Sequence, residues 1–505
     1  MKRLFSLSIV IFWLIMVTLL IRKQLPSPLL PSSSAPLLSS SPAPVQERKE
    51  EWKGVYYHNQ KVGYIHQSLF PTATGYQWEE EWRMRIQALG TPQTIHTEIK
   101  AHTDRAYALT EFSFRLSASD LTFIATGKVS EDMLKGEITT GGQTSPFSFP
   151  LSEPLYLPTT AQTALRRSPL QTGETRQFTI FNPLSLKKET FAVTAMGPER
   201  TRIHDQEVET IKETVQFAGV SLTSWVDREG NVLKEEAPLG LTLIREEKEQ
   251  ALSGGWQNAT PPDIVAAVAM PVQRALPSPR TLTFLQMKIS GPQDGPFGHS
   301  TTLRAGSAQD RSFAFPPRQA QAGEELTITV EDPASLQSYT LPLADPQFAT
   351  DLSPTPFLQS THPRIVQLVA DLLAGEKDAL QATKRLLAWT YQTLDKVPTT
   401  SMPTALEALE SGRGDCNEHA VLFTALARAA GIPARVAAGM VYMDGAFYYH
   451  AWSEVWLGRW VAIDPVFNQF PADATHIKFI EGGPEEHTAL LRIIGQVAME
   501  VLDYR

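Results

Sequence analysis

Residues 412–435 read GRGDCNEHAVLFTALARAAGIPAR and contain the start, body and end of one predicted helix. Apolar residues recur at helical spacing after Cys416, and Gly431 and Pro433 follow as a stop signal. Cys416 therefore falls in the first turn of a buried helix. The free N–H groups and the positive dipole end of that turn predict a thiol pKa below the ordinary value of about 8.5. The same N–H groups can receive the oxygen of a tetrahedral intermediate.

A group of strands is predicted after this helix, at residues 434–443, 446–456 and 460–463. His450 lies inside the second strand, and Asp464 follows the third. Neighbouring antiparallel strands can bring such an imidazole and carboxylate together. A thiolate facing a histidine that a carboxylate orients is the arrangement used for covalent acyl transfer. The pattern predicts catalytic roles for Cys416, His450 and Asp464.

Several successive motifs of this region resemble those of the transglutaminase-like superfamily. They are Gly414-Asp415-Cys416, residues 427–435, His450-Ala451-Trp452 and residues 460–465. The resemblance covers about residues 356–482 and implies a papain-like α+β fold with a Cys–His–Asp triad at the three residues named above. Residues 473–477 are also similar to envelope-associated bacterial members. Family members place an oxyanion donor upstream of the cysteine, a role that would fall to Trp389 or Tyr391.

Each triad residue also has a structural interpretation. Cys416 could be an inert buried thiol, His450 a satisfied strand histidine, and Asp464 the start of a turn. The helix start and the ordered partners favour the catalytic interpretation for all three.

Three further polar residues lie close in sequence to the predicted site. His419, one turn after the cysteine, is a candidate support residue, for which a structural hydrogen bond is expected rather than catalysis. Asp473 and His476 are expected to support the loop beside the site.

Composition narrows the class of protein. The 505 residues carry a net charge of −9 with no basic block, which argues against nucleic-acid binding. Cys416 is the single cysteine, so an intrachain disulfide and a zinc site of several thiolates are excluded. No HExxH pattern is present, and neither a metal nor a cofactor is expected.

Residues 50–250 are predicted to form a large antiparallel β-rich domain, either a half-barrel or a sandwich. Apolar and polar residues alternate from Tyr76 to Ala88, and residues 215–226 and 239–244 are further predicted strands. Residues 227–231 predict a hairpin turn. The aromatic residues of these strands are expected to pack in a core rather than line a ligand groove; they include Trp52, Tyr56, Trp78 and Trp82.

The remaining boundaries follow from changes in pattern. Residues 251–355 are predicted as a smaller β extension with strands near 281–289 and 325–331, residues 356–482 as the catalytic domain, and residues 483–505 as a C-terminal strand or tail.

An apolar run at residues 5–21 is flanked by Lys2-Arg3 and Arg22-Lys23. It predicts an uncleaved signal anchor within residues 1–23, because no small residues are well placed for cleavage; a cleaved signal peptide is the alternative. The Pro- and Ser-rich residues 24–49 then form a linker. The body is expected outside the cytoplasm, in the periplasm or at the cell surface, and a cytosol-facing body is the alternative.

Together these features predict a membrane-anchored cysteine enzyme that acts on amide bonds of a protein or peptide through a thioester. Hydrolysis, by a peptidase or a deamidase, is expected rather than cross-linking. The alternative is a non-catalytic, membrane-anchored binding or scaffold protein that docks a partner on its papain-like domain. The sequence leaves the oligomeric state open.

Overall fold

The computed structural model describes most of the chain from residue 48 onward. The described ranges are 48–88, 91–118, 121–140, 142–217, 220–237, 240–263, 269–290, 313–397, 403–483, 486–487, 490 and 497–505. Within these ranges no helix has the length and apolar character needed to cross a membrane. The predicted anchor at residues 1–23 and nearly all of the predicted linker lie outside them.

The β-rich region is confirmed and forms one antiparallel sheet of fourteen strands within the described residues. The strands are β1 (Lys49–Tyr57), β2 (Gln60–Pro71), β3 (Gly75–Ala88), β4 (Thr91–Asp104), β5 (Leu109–Ala118), β6 (Leu121–Ser130), β7 (Met133–Thr140), β8 (Gln143–Pro150), β9 (Thr175–Asn182), β10 (Lys187–Ile203), β11 (Gln206–Phe217), β12 (Val220–Val226), β13 (Val232–Glu236) and β14 (Leu241–Glu246). Their order across the sheet is β8-β7-β6-β5-β4-β3-β2-β1-β14-β13-β12-β11-β10-β9.

The sheet curls on itself, since its two edge strands make side-chain contact. The ring of Phe181 on β9 lies 5.8 Å from that of Phe147 and 6.1 Å from that of Phe149, both on β8. The alternation predicted for β3 is present, with Tyr76, Trp78, Trp82, Met84 and Ile86 buried. Curling places this parity in a common core, as sheets with one covered face require.

The predicted strand at residues 215–226 is wrong. The structure has two strands there, because β11 ends at Phe217 and β12 begins at Val220, and the two pair as neighbours. The hairpin predicted at residues 227–231 joins β12 to β13, and Asp227 and Asn231 bond across it at 2.9 Å. Val215 and Phe217 on β11 and Trp225 and Val226 on β12 are all buried, so the apolar residues of the two strands resemble one continuous strand in the sequence.

Within the residues that the structure describes, three smaller sheets follow the large one. Their strands are β15 (Met270–Pro271), β16 (Phe284–Ser290), β17 (Gln319–Ala322), β18 (Glu325–Thr329), β19 (Asp395–Lys396), β20 (Arg413–Gly414), β21 (Ala434–Met443), β22 (Ala446–Trp456), β23 (Trp460–Ile463), β24 (Ile477–Glu481) and β25 (Ala498–Tyr504). One sheet has the order β15-β22-β21-β24 with β23 beside β22, another has the order β17-β18-β16-β25, and β19 pairs with β20 in parallel.

Seven α-helices lie within the described ranges. They are α1 (Pro158–Arg166), α2 (Lys248–Leu252), α3 (Ala349–Leu352), α4 (Pro363–Leu373), α5 (Ala379–Thr393), α6 (Ala405–Ser411) and α7 (Cys416–Ala429). Every residue of α7 from Cys416 to Arg428 is buried. A helix buried on all sides is typical of the centre of a domain, and α7 packs against β21 and β22 on one side.

Direct contacts connect the large sheet to the domain around α7. The Thr140 hydroxyl at the end of β7 donates to Glu407 Oε2 on α6 at 2.6 Å, and Gln143 Nε2 on β8 donates to Glu410 Oε1 at 3.1 Å. Helix α6 is followed within a few residues by Cys416. The large sheet therefore makes hydrogen bonds to the helix that precedes Cys416 in the sequence.

Candidate active site

Side chains of its own first turn fix the start of α7. Asp415 precedes the helix, and its Oδ1 accepts the N–H of Asn417 at 2.9 Å. Glu418 reaches back to accept the N–H of Asp415 at 2.9 Å. This reciprocal pattern is a capping box, which satisfies N–H groups that a helix start leaves without partners. Cys416 is therefore held at the first helical position.

The environment of the Cys416 sulfur differs from the expectation. The residue is 1% exposed, and burial, followed by the carboxylate of Asp415, raises the pKa of its thiol well above the ordinary value. Glu418 adds to this effect, and a hydrogen bond from the N–H of Ala451 opposes it. The predicted low thiol pKa is wrong for this state, because desolvation and the carboxylates of Asp415, Glu418 and Asp464 raise the pKa of the thiol.

His450 and Asp464 meet as the strand pattern predicts. Nε2 of His450, on β22, lies 2.7 Å from Oδ2 of Asp464, which follows β23. The other oxygen of Asp464 accepts the N–H groups of Val466 at 2.6 Å and Phe467 at 3.0 Å. Burial alone would raise the pKa of Asp464, but the two histidines bonded to it hold that pKa well below its usual range. Asp464 is therefore a buried, ionised carboxylate.

Packing fixes the plane of the His450 ring. The rings of Phe467 and Trp452 are nearly parallel to it, with centroids 5.2 and 6.3 Å away. Burial lowers the pKa of His450, and the attraction of Asp464 only partly offsets this. Because Nε2–H donates to Asp464, a neutral ring carries its lone pair on Nδ1. His450 therefore has the form that a general base needs.

Cys416 and His450 lie on elements that pack together. Helix α7 lies against β22, where Ser453 Oγ donates to the carbonyl oxygen of Ala420 at 3.1 Å. The backbone N–H that lowers the pKa of the Cys416 thiol belongs to Ala451, the residue after His450. The thiol is therefore close to the part of β22 that carries the imidazole.

A second buried histidine, His476, also bonds to Asp464. Its Nε2 lies 2.8 Å from Oδ2 of Asp464, the oxygen that His450 also uses. Its Nδ1 lies 3.1 Å from the carbonyl oxygen and 3.4 Å from Oδ1 of Asp473. Arg280 Nη1 donates to the other oxygen of Asp473 at 2.8 Å. The sequence placed Asp473 and His476 near the site, but nothing local in it indicated the bond to Asp464.

The other predicted support residues occupy different environments. His419 is buried, and its Nδ1 lies 2.6 Å from the carbonyl oxygen of Asp415. Burial lowers the pKa of His419 to about 4, so its ring is neutral. Trp389 is half-buried against the core, and Tyr391 is exposed with the ammonium of Lys396 3.9 Å from its ring centre. Tyr391 thus faces solvent, whereas the Cys416 sulfur does not.

No pattern in the sequence predicted one buried pair of hydrogen-bonded side chains near the Cys416 sulfur. The hydroxyl of Tyr449, whose charged form the Cys416 thiolate would repel, lies 2.9 Å from Nδ1 of His487. Nε2–H of His487 donates to the carbonyl oxygen of Gly482 at 3.1 Å, so Nδ1 accepts from Tyr449. Tyr449 and His487 are separated by 38 residues, and no local pattern signals such a contact.

The cluster of His450, Asp464 and His476 has residue types that bind metals, and its candidate ligand atoms lie within 4.8 Å of one another. However, both Nε2 atoms are 2.7–2.8 Å from one carboxylate oxygen, which is the distance of a direct hydrogen bond. An ion bound at about 2.0–2.2 Å would need to lie between these atoms. The arrangement therefore fits a proton-bearing network.

Cys416, His450 and Asp464 lie within a segment of the chain that matches a known protein family. Residues 366–465 match the transglutaminase-like superfamily. This segment is a transglutaminase-like domain. It contains Cys416, His450 and Asp464, whereas His476 lies beyond the matched residues. No curated protein matches the chain.

Three solved structures resemble parts of the chain. A provisionally assigned cysteine protease from Cytophaga hutchinsonii is 14% identical, with 47% of this chain and 82% of that chain covered and a TM-score of 0.28. A β-barrel-like protein of the DUF1849 family from Brucella abortus is 8% identical, with 39% and 94% covered and a TM-score of 0.31. A DUF1089-family protein from Pseudomonas aeruginosa is 15% identical, with 34% and 89% covered and a TM-score of 0.22.

Proposed function

We propose that the transglutaminase-like domain is a cysteine enzyme that acts on amide bonds of a protein or peptide, with Cys416 as nucleophile, His450 as base and Asp464 as orienter. The observation that carries this proposal is the 2.7 Å bond between His450 Nε2 and Asp464, made from the strand β22 against which the helix of Cys416 packs. The family match supports it, because the matched residues include all three side chains.

The proposed reaction has two stages. Nδ1 of His450 accepts the thiol proton as the Cys416 sulfur attacks the carbonyl carbon, and the imidazolium then protonates the departing nitrogen as the C–N bond breaks. The resulting thioester is attacked by water, whose proton passes to His450. That proton returns to the sulfur as the acid product leaves. Asp464 stabilises the imidazolium in both stages.

The oxygen of each tetrahedral intermediate needs hydrogen-bond donors. Asp415 accepts the N–H of Asn417, so the donor proposed for this oxygen is the backbone N–H of Cys416, which lies at the N-terminus of α7 and has no intrahelical partner. The raised thiol pKa fits a resting pair of neutral thiol and neutral imidazole, in which the proton moves only when the substrate carbonyl is attacked.

Water is the proposed acceptor, which makes the enzyme a peptidase or deamidase rather than a cross-linking enzyme. We further propose that the apolar run at residues 5–21 tethers this domain to a membrane on the extracytoplasmic side, through the linker that follows.

The proposal is tested by measuring three products from one reaction with an unfolded protein such as casein. New amino termini report peptidase activity, released ammonia reports deamidation, and incorporation of a fluorescent amine reports cross-linking. The wild-type protein is expected to give one of the first two, and Cys416→Ala none. Because the thiol is small and buried, Ser453→Ala serves as a control for loss of a small buried side chain on the neighbouring strand. Equal product from Cys416→Ala would refute the proposal.

A second candidate is the non-catalytic docking module, which the burial of the Cys416 sulfur favours. A thiol kept for packing reacts slowly with every electrophile, irrespective of size or acyl character. An enzyme of the proposed type instead transfers acyl groups to Cys416 faster than a small alkylating reagent of similar intrinsic reactivity modifies it. Comparison of the two rates on the same protein separates the candidates.

A further inference from the structure

The ring of His476 is surrounded by hydrogen-bond acceptors. It is fully buried, with Nε2 2.8 Å from Oδ2 of Asp464 and Nδ1 3.1 Å from the carbonyl oxygen of Asp473. Oδ1 of Asp473 lies 3.4 Å from the same Nδ1. Asp464 is ionised, since its other oxygen accepts two backbone N–H groups. Both ring nitrogens must therefore donate, which requires the imidazolium form.

The charges around the ring favour the same form. The ionisable groups that face it are the carboxylates of Asp464 and Asp473, the guanidinium of Arg280 and the imidazole of His450. The two carboxylates are balanced by Arg280 and a charged His476 only when His450 is neutral. A balanced cluster is strongly preferred in a buried site, where an unpaired charge is costly.

A neighbouring ion pair contacts the backbone of the segment that carries Asp473 and His476. Arg318 pairs with Glu331, and its Nη2 donates to the carbonyl oxygens of Ala472 at 2.9 Å and Asp473 at 2.7 Å. The carboxylates of Asp473 and Asp464, in that order, raise the pKa of His476 against the effect of burial. The loop that carries His476 is thereby fixed against the orienter.

We propose that His476 is a positioning residue that stays protonated on both ring nitrogens over the working pH range, and that this fixed cation holds Asp464 ionised while keeping His450 neutral. The inference rests on the proposed triad. It assigns a role to a residue that lies outside residues 366–465, the segment that matches the family. The proposed hydrogen-bond network then runs from His450 through Asp464 to His476 and Asp473.

The size of the effect follows from the separation of the two rings. The ring centroids of His450 and His476 are 5.6 Å apart. At that distance a fixed positive charge lowers the pKa of a second imidazole by about two pH units, with an effective protein dielectric constant of about 20. His450 would therefore be a usable base at a lower pH than it would be beside Asp464 alone.

The protonation state is tested directly by NMR of the full-length protein labelled with ¹⁵N-histidine. The expected result is that His476 shows two protonated ring nitrogens from about pH 6 to about pH 8, while His450 shows one. A neutral His476 ring at about pH 7 would overturn the proposal. This measurement does not depend on activity, so it stands even if acyl transfer to Cys416 is never observed.

A kinetic test uses His476→Gln, whose amide N–H can still donate to Asp464 but carries no charge. The acidic limb of the pH profile for acylation of Cys416 is expected to move up by about one unit or more. His487→Gln is the matched control, because it also removes a buried imidazole, but one whose pKa burial lowers to about 4. The acidic limb of the pH profile of His487→Gln is expected to stay at the wild-type position. A folded His476→Gln protein with lower rates at every pH and an unmoved limb would reduce His476 to a structural role and overturn the proposal.

Discussion

Replacing Asp464 with Asn preserves the size of a fully buried side chain and removes its charge. The carboxylate accepts four hydrogen bonds, two of them from the histidines His450 and His476 at one oxygen. An Asn side chain accepts only through its carbonyl oxygen, and its NH2 group would face N–H donors. If the carbonyl oxygen stays with the backbone N–H groups, both imidazoles lose their acceptor.

The expected losses are large because the site is buried. Removing one partner from a buried ion pair costs about 3–5 kcal/mol. For a domain of this size about 1 kcal/mol shifts the Tm by about 2–4 °C, so a Tm lower by about 10 °C is expected. His450 would also be free to place its proton on Nδ1, the wrong nitrogen for a base. A comparable change of the orienting carboxylate in a serine triad costs about 10,000-fold in rate.

Two assays on the same preparations measure these losses. Thermal unfolding gives the Tm, and the rate of acyl transfer from a p-nitrophenyl ester to Cys416 gives the activity. Asp371→Asn is the control, since Asp371 is exposed on α4 and accepts a hydrogen bond from Gln367 of the same helix. An Asp464→Asn protein with an unchanged Tm and a rate within about tenfold of the wild type would refute the assignment of Asp464 as orienter.

Two further predictions concern contacts outside the triad. Burial raises the pKa of Glu407 from 4.5 to about 7, so the stability that its protonated form provides is present below about pH 4.5 and is lost as the pH rises through about 7. Glu407→Gln keeps the neutral form and is expected to be more stable than the wild type at pH 8, by about 3 kcal/mol at most, with no gain at pH 4; equal Tm differences at both values would contradict this. At Gly439, which pairs with His450, an added Cβ would lie 1.9 Å from the carbonyl oxygen of Ile477. Gly439→Ala is therefore expected to separate β21 from β24 and to lower the Tm sharply, and an unchanged circular dichroism melt would contradict the close approach of the two strands.

Local signals were sufficient to predict the elements that carry the triad. The strands β21, β22 and β23 have the bounds that the sequence predicts, because Asp444-Gly445 and Gly458 mark both turns. The start of α7 was also predictable, since Asp415 and Glu418 have the spacing of a capping box. In these cases local propensity and tertiary packing favour the same structure.

Features that depend on distant residues were not predictable from one sequence. The position of Cys416 in its helix followed from local signals, but its burial and raised thiol pKa depend on what covers the helix start. The bond of His476 to Asp464 joins the two ends of the connection between β23 and β24, and its formation depends on how that whole segment folds back. The pairing of Tyr449 with His487 likewise joins residues that are far apart in the sequence. Glu80 is a further example, because it lies on the buried parity of β3 and is satisfied there by Gln67.

The acylation of Cys416 tests the central claim most directly. The protein is mixed with p-nitrophenyl acetate, quenched with acid and measured by intact mass and peptide mapping. A transient acetyl group on Cys416 is expected, formed about 100-fold or more slowly in His450→Gln and at an unchanged rate in the control His96→Gln on β4. Acetylation that spares Cys416, or that proceeds equally fast without the imidazole of His450, would contradict a nucleophile and base acting together.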